Sequence, residues 1–146
     1  MPKVLIADKM SVAATEIFKA RGIDVDVITG LSKDELIKII PEYDGLAVRS
    51  STRPDGEIIA YAKNLKVIGR AGIGTDNIDK AAATASGIVV MNTPFGNAVT
   101  TAEHSIAMIF AAARQIPAAN AGTQKGEWPK SEFKGVELYN LSLIHI

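Results

Sequence analysis

Gly69-Arg-Ala-Gly-Ile-Gly-Thr-Asp-Asn-Ile-Asp79 and Asn92-Thr-Pro-Phe-Gly-Asn-Ala-Val-Thr-Thr-Ala-Glu-His104 are the stretches on which the reading of this chain turns. Each follows a short apolar run, Lys66-Val-Ile68 before the first and Ile88-Val-Val-Met91 before the second. Each then leads into a helical pattern. Small residues let backbone N–H groups approach a ligand closely. A helix start adds unpaired amides and the positive end of a dipole. Together these make the layout of an anion site. The plain alternative is a pair of tight turns in which Gly72, Gly74 and Gly96 supply positive φ. Recurrence at equivalent places in successive β-α units favours the anion site.

Outward from these blocks the same alternation continues. Val4-Leu5-Ile6-Ala7 is a buried-strand pattern ending at Asp8. Val12 to Arg21 reads as a helix with Ile17 and Phe18 on its apolar face and Gly22 as its stop. Val25, Val27 and Ile28 form a second strand. Ser32-Lys-Asp-Glu35 is a capping box that opens a helix through Ile40, closed by Pro41. Gly45-Leu-Ala-Val48 is a third strand, followed by Arg49-Ser50-Ser51-Thr52 and a helix over Asp55 to Ala62. Lys66 to Ile68 is the fourth strand, Ile78 to Ser86 a helix, and Ile88 to Met91 the fifth strand.

Five strands alternating with helices predict an α/β fold whose parallel sheet is covered on both faces. The economical topology is doubly wound and flavodoxin-like. Right-handed crossovers then place every strand's carboxyl end on one edge, where open α/β sheets bind ligands. The loops at that edge hold Arg49-Ser50, Arg70 to Gly74, and Asn92 to Asn97. Arg49 can clamp a carboxylate or phosphate with two parallel hydrogen bonds. Its bland alternative is a solvated loop arginine; the adjacent Ser50 and the glycine loop favour the site. Further on, Thr100-Thr-Ala-Glu103 reads as a second capping box, starting a helix to about Gln115. Ile106 to Ala113 is uninterrupted apolar sequence, fitting either a core helix or one buried between domains or subunits. After Pro117 the chain turns polar.

Composition narrows the function classes. Lys plus Arg equals Asp plus Glu, 16 each, so no net charge draws the chain to nucleic acid or a membrane surface. There is no cysteine, which removes thiolate catalysis and zinc–thiolate sites. His104 and His145 are far apart and form no metal-ligand pattern. The N-terminus enters a strand without a signal-peptide pattern, and no apolar run is long enough to span a bilayer. A cytoplasmic location is expected. A response-regulator receiver would share the strand order, but Arg49 stands after the third strand where its phosphoacceptor Asp should be.

The blocks Val48-Arg49-Ser50-Ser51-Thr52, Gly69 to Asp79, and Asn92-Thr93-Pro94 through Gly96-Asn97 to Ala102-Glu103-His104 resemble the N-terminal part of the D-isomer-specific 2-hydroxyacid dehydrogenases. Within that family the nearest resemblance is to the branch acting on 3-phosphoglycerate. Gly126-x-Trp128-x-Lys130-x-x-Phe133-x-Gly135-x-Glu137-Leu138 also fits, so the resemblance covers residues 1 to about 140. It implies NAD-dependent oxidation of a 2-hydroxy acid, here 3-phosphoglycerate at the start of serine synthesis. It implies that Arg49, Ser50 and Asn97 contact the substrate anion. The loop of Arg70, Ala71 and Gly72 would wall in its carboxylate, and Ile73 and Thr101 would lie near the nicotinamide. The helix from near Thr101 would take part in a homodimer.

The pattern then breaks. After Glu137-Leu138-Tyr139 the family begins its dinucleotide fold with a G-x-G-x-x-G turn, whereas this chain reads Asn140-Leu-Ser-Leu-Ile-His-Ile146. No G-x-G-x-x-G occurs. Gly72-x-Gly74 is followed by Asn77 at the third-glycine position, and Asn92 stands about 20 residues past Gly72 where a ribose-binding acid belongs. The family's catalytic Arg, Glu and His lie downstream of the matched residues, so no residue here is assigned a catalytic role and none a metal. His104 matches a position other than the family's base and reads as packed or interfacial; His145 is given no role. The expectation is an N-terminal fragment, inactive by itself. It comprises a flavodoxin-like substrate domain over 1–98, a crossing helix and the start of a Rossmann domain over 99–140, and an unmatched tail over 141–146. The competing reading is a free-standing module that binds a small anion or a partner without catalysis.

Overall fold

Short apolar runs set between glycines and capping residues become the strands of a parallel sheet. The structure, a computed structural model, describes residues 1–144, so His145 and the last residue lie outside it. The described residues divide into two compact units, Met1–Asn97 and the residues from Ala98 onward.

In the first unit the elements alternate in chain order. They are β1 (Lys3–Ile6), α1 (Val12–Ala20), β2 (Asp24–Val27), α2 (Lys33–Ile39), β3 (Gly45–Val48), α3 (Gly56–Tyr61), β4 (Val67–Arg70), α4 (Lys80–Ala85) and β5 (Val89–Asn92). Side chains cap each helix at its N-terminus. Ser11 accepts from the Ala13 amide, Asp55 from Ile58 and Asp79 from Ala82, and Ser32 with Glu35 forms the expected capping box. Gly22 and Gly87 follow α1 and α4 with φ of 68° and 73°, the left-handed helix stop that a Cβ disfavours. Pro41 does not simply end α2; it sits inside a 3-10 turn, Ile40–Glu42, at a position needing no backbone donor.

All pairings are parallel and the strand order is β2-β1-β3-β4-β5, the flavodoxin-like order. The register aligns Leu5, Leu46, Ile68 and Val90 on one face and Val4, Gly45, Val67 and Val89 on the other. The first face is the core. Leu5 and Ile68 are fully buried there, packed with Leu36, Ile40, Ile58, Ile59 and Ala83 from α2, the 3-10 turn, α3 and α4, and with Ile78 from the loop before α4. The second face carries small residues, Gly45, Ala47 and Gly69. Within this unit the expected two-sided cover is therefore one-sided at the centre. α1 packs beside β2, leaving Ile17 and Val12 exposed and a groove of about 530 Å³ lined by Phe18, Val4, Val67 and Met91.

The second unit holds α5 (Ala98–Ala113) and α6 (Ile116–Gln124). α5 begins two residues before Thr100, so the second capping box is not a cap. Asn97, a residue type favoured at helix starts, precedes the first helical residue instead. α6 occupies a stretch read from sequence only as polar. Gln115 breaks the two helices apart at φ 53°, and Pro117 falls in the first turn of α6, where the missing N–H is harmless. Among the described residues no helix is long and apolar enough to cross a membrane.

Leu46→Ala is expected to cost about 2–5 kcal/mol in urea unfolding, while Ile17→Ala costs under about 1 kcal/mol. Asp26, Asp44 and Asp55 have carboxyls held below the ordinary range. The first cause is the Lys3 ammonium for Asp26, that of Lys66 for Asp44 and that of Lys33 for Asp55. A depressed folded-state pKa stabilises above the unfolded value and is lost below it. The urea midpoint is therefore expected to be level near neutrality and to fall as the pH drops below about 4.

Candidate functional site at the carboxyl edge of the sheet

The loops after β1, β3, β4 and β5 share one edge and hydrogen-bond to one another. Asp8, two residues past β1, is 5% exposed. Its carboxylate accepts from the Arg49 amide at 2.6 Å, the Thr52 amide at 3.1 Å and the Thr52 hydroxyl at 2.8 Å. Burial pushes the Asp8 carboxyl up. The Thr52 hydroxyl and the amides of Arg49, Thr52 and Ser51 together outweigh that and hold it below the usual carboxylate range. The turn after β3 is wound around a buried negative charge.

Asn77 meets the same turn from the glycine block. It is buried, and its Nδ2 donates to the carbonyls of Arg49 at 2.8 Å and Thr52 at 2.7 Å. Arg49 and Ser50 are themselves exposed. One guanidinium nitrogen of Arg49 donates to the Lys9 carbonyl at 3.3 Å. A guanidinium has five N–H donors, so this contact does not exhaust it.

Arg70 ends β4 and turns beneath the loop that follows. Its Nη1 donates to Asp76 at 3.0 Å, and the side chain is 14% exposed. Its Nε is buried without a partner. A Cβ on Gly74 would lie 2.8 Å from Asp76 Oδ1 and 3.0 Å from Arg70 Nη1; one on Gly72 would lie 3.5 Å from Arg70 Nε. None of Gly72, Gly74 and Gly96 adopts positive φ. The first two glycines give the arginine room rather than permit a left-handed turn. From the other side, Asn92 Nδ2 donates to the Ile73 carbonyl at 2.7 Å and the Thr93 amide to the Gly72 carbonyl at 3.0 Å.

Arg49, Ser50, Arg70, Ala71, Gly72 and Ile73 thus lie on one edge of the first unit, and Asn97 is exposed at that unit's end. Thr101 belongs to α5 of the second unit, where its carbonyl accepts from the Ser105 hydroxyl at 2.8 Å. Asp8, Thr52, Asp76, Asn77 and Asn92, which build this edge, carry no binding role in the sequence reading. The available signal was an acid placed directly after a buried apolar run.

A dinucleotide phosphate turn must leave glycine amides open to a pyrophosphate. The space beside Gly72 and Gly74 is taken by the side chains of Arg70 and Asp76, so this loop does not fit that role.

Residues 4–132 match the D-isomer specific 2-hydroxyacid dehydrogenase family, catalytic domain. The D-3-phosphoglycerate dehydrogenase of Archaeoglobus fulgidus is 51% identical over 136 residues, 93% of this chain and 26% of the relative. That of Methanocaldococcus jannaschii is 46% identical over 98% of this chain and 27% of its own length. The chain spans about a quarter of the curated relatives it matches. Among solved structures, a protein from Pyrococcus horikoshii OT3 superposes with a TM-score of 0.84 at 33% identity, covering 94% of this chain and 42% of its own. The NAD+-bound 3-phosphoglycerate dehydrogenase of Entamoeba histolytica gives a TM-score of 0.67 at 36% identity, covering 77% and 39%. With its blocks, its strand order and these relatives in agreement, the chain belongs to the D-isomer specific 2-hydroxyacid dehydrogenases.

Proposed function

We propose that this chain is the substrate-holding part of an NAD-dependent dehydrogenase that oxidises 3-phosphoglycerate to 3-phosphohydroxypyruvate, the first step toward serine. The observation that carries the reading is the convergence of Arg49-Ser50 and the Arg70–Gly74 loop on one sheet edge. The names of the similar relatives support the choice of substrate. Arg49 clamps an anionic group of the substrate through its fork, and Ser50 and Asn97 add hydrogen bonds. The backbone of Ala71 and Gly72 walls in the carboxylate, and Arg70, held on Asp76, adds positive charge behind that wall.

NAD supplies the hydride acceptor. Ile73, 41% exposed, lies at its nicotinamide end in this reading, and among the described residues none is assigned to its phosphate turn. With the family's acid/base group also outside the matched residues, the 146-residue polypeptide binds substrate without oxidising it. α5 serves a homodimer contact, and a cytoplasmic location goes with such an enzyme. A second reading is a small-anion module without catalysis. It is favoured by the side chains that fill the space beside Gly72 and Gly74.

Titration of the chain with 3-phosphoglycerate, followed by amide chemical shifts, is expected to move residues 49–52 and 70–74. Arg49→Lys is expected to weaken binding about tenfold, because a point charge cannot replace the planar fork. Equal affinity of the two proteins would count against the assignment. Gly74→Ala, which pushes on the Arg70–Asp76 pair, is expected to weaken binding more than Gly72→Ala. With NAD and 3-phosphoglycerate the chain alone is expected to give no NADH absorbance; a steady signal would sink the division of roles. Sulfate bound as tightly as 3-phosphoglycerate would favour the second reading.

A further inference from the structure

We propose that Asp8 and Asn77 are positioning residues for the anion site, fixing where Arg49 and Ser50 stand without touching the ligand. The inference rests on the reading of Arg49-Ser50 as the anion-binding turn and goes beyond it by saying what shapes that turn. Both residues are buried, and the two Asp8 carboxylate oxygens and the Asn77 Nδ2 all bond to the same four-residue segment, while Asn77 Oδ1 is left without a partner. Asp8 takes the amides at the two ends of the turn, those of Arg49 and Thr52. Asn77 takes the carbonyls of the same two residues. These short bonds act on Arg49 and Thr52, the Ser51 amide adds a weaker contribution to Asp8, and the side chains of Ser50 and Ser51 stand exposed between the two ends.

The chemistry of the two partners is complementary and not interchangeable. An ionised carboxylate only accepts, and it suits two amides and a hydroxyl. A primary amide nitrogen donates twice, and it suits two carbonyls. The partners also come from different elements, Asp8 from the end of β1 and Asn77 from the block that begins α4. The position of Arg49 is thereby tied to the sheet on one side and to the glycine block on the other. That geometry answers a need of anion recognition. A guanidinium on a long side chain loses less freedom on binding when its backbone is already fixed.

Isosteric changes separate this role from general stability. Asn77→Asp keeps the shape and removes both donors. Asp8→Asn keeps the shape and removes the charge. Thr52→Val removes only the hydroxyl that donates to Asp8, and Thr52→Ser restores it. The probe is 3-phosphoglycerate, titrated into the full 146-residue chain, with sulfate in parallel. Amide hydrogen exchange at Arg49 and Thr52, and at Ile68 in the core, reports local against global opening.

Asn77→Asp and Asp8→Asn are each expected to weaken binding about tenfold or more, and Thr52→Val by several-fold, with Thr52→Ser close to wild type. Exchange should speed up at Arg49 and Thr52 and stay slow at Ile68. Variants with a protected core and undiminished affinity would overturn the inference while leaving the anion-site reading in place. Wild-type chain that binds neither 3-phosphoglycerate nor sulfate would overturn both. Should the two isosteric variants fail to fold, the Thr52 pair decides: equal affinity for Val and Ser at that position overturns the inference.

Discussion

In a parallel sheet every strand points the same way, so loops far apart in the chain are forced onto one edge. The hydrogen-bond ladder that produces this also leaves the edge with a problem. The strands end there, and their last amides and carbonyls need partners. In this molecule those partners come from neighbouring loops. Ala71 continues the ladder by donating to the Val48 carbonyl, and Ala7 donates to that of Ala47. Asp8, Asn77 and Asn92 then take up the loop groups that no ladder reaches. The edge is therefore built of backbone held by side chains, which is the form an anion site requires: amides and one or two cations fixed before the ligand arrives.

Electrostatics sharpens the same design. A carboxylate buried at the end of a strand is costly unless donors surround it. The Thr52 hydroxyl and the amides of Arg49, Thr52 and Ser51 do so at Asp8, and they outweigh the desolvation. Arg70 shows the opposite balance. Its charge is mostly covered, one terminal nitrogen is paired to an exposed aspartate, and its Nε has no partner. An unpaired buried donor costs about 1–3 kcal/mol. Strain of that kind belongs to places where function requires a charge under a surface. Gly72 and Gly74 are the sequence's concession to that arginine.

Much of the fold was legible because it rests on short-range rules. Apolar tetrads such as Gly45–Val48 and the Ser32–Glu35 capping box read directly as a strand and a helix start. The strand order followed from economy and handedness. The misreadings have local causes. Thr100-x-x-Glu103 matches the capping pattern, but Asn97 lies closer to the start of the helix and Ala98 is already helical. The polar composition after Pro117 gave no helix signal, yet α6 forms there, and Pro117 in its first turn costs no backbone hydrogen bond. Within the first unit the helices leave the centre of one sheet face uncovered, because periodicity shows which strands are apolar, not where a helix such as α1 will lie. At the sheet edge, Arg49 and Ser50 were candidates by residue type, and both stand exposed there. Asp8 and Asn77 were not, because their meaning depends on contacts 41 and 25–28 residues away in sequence.

Family membership and the geometry of the edge bear on different halves of a dehydrogenase. Binding a 2-hydroxy acid asks for fixed cations and amides, and on the proposed reading the sheet edge of the first unit would hold both. Moving a hydride asks for a dinucleotide held by open glycine amides, and the glycine loop of this chain is filled by Arg70 and Asp76. The two demands conflict within one loop: a glycine whose space is taken by an arginine cannot also admit a pyrophosphate. On the proposed reading, a loop that serves the substrate leaves the cofactor's phosphates to some other turn. That separation gives a physical reason why Gly72-x-Gly74 breaks the dinucleotide pattern at Asn77. The residue that stands in place of the third glycine is the one that grips the arginine turn.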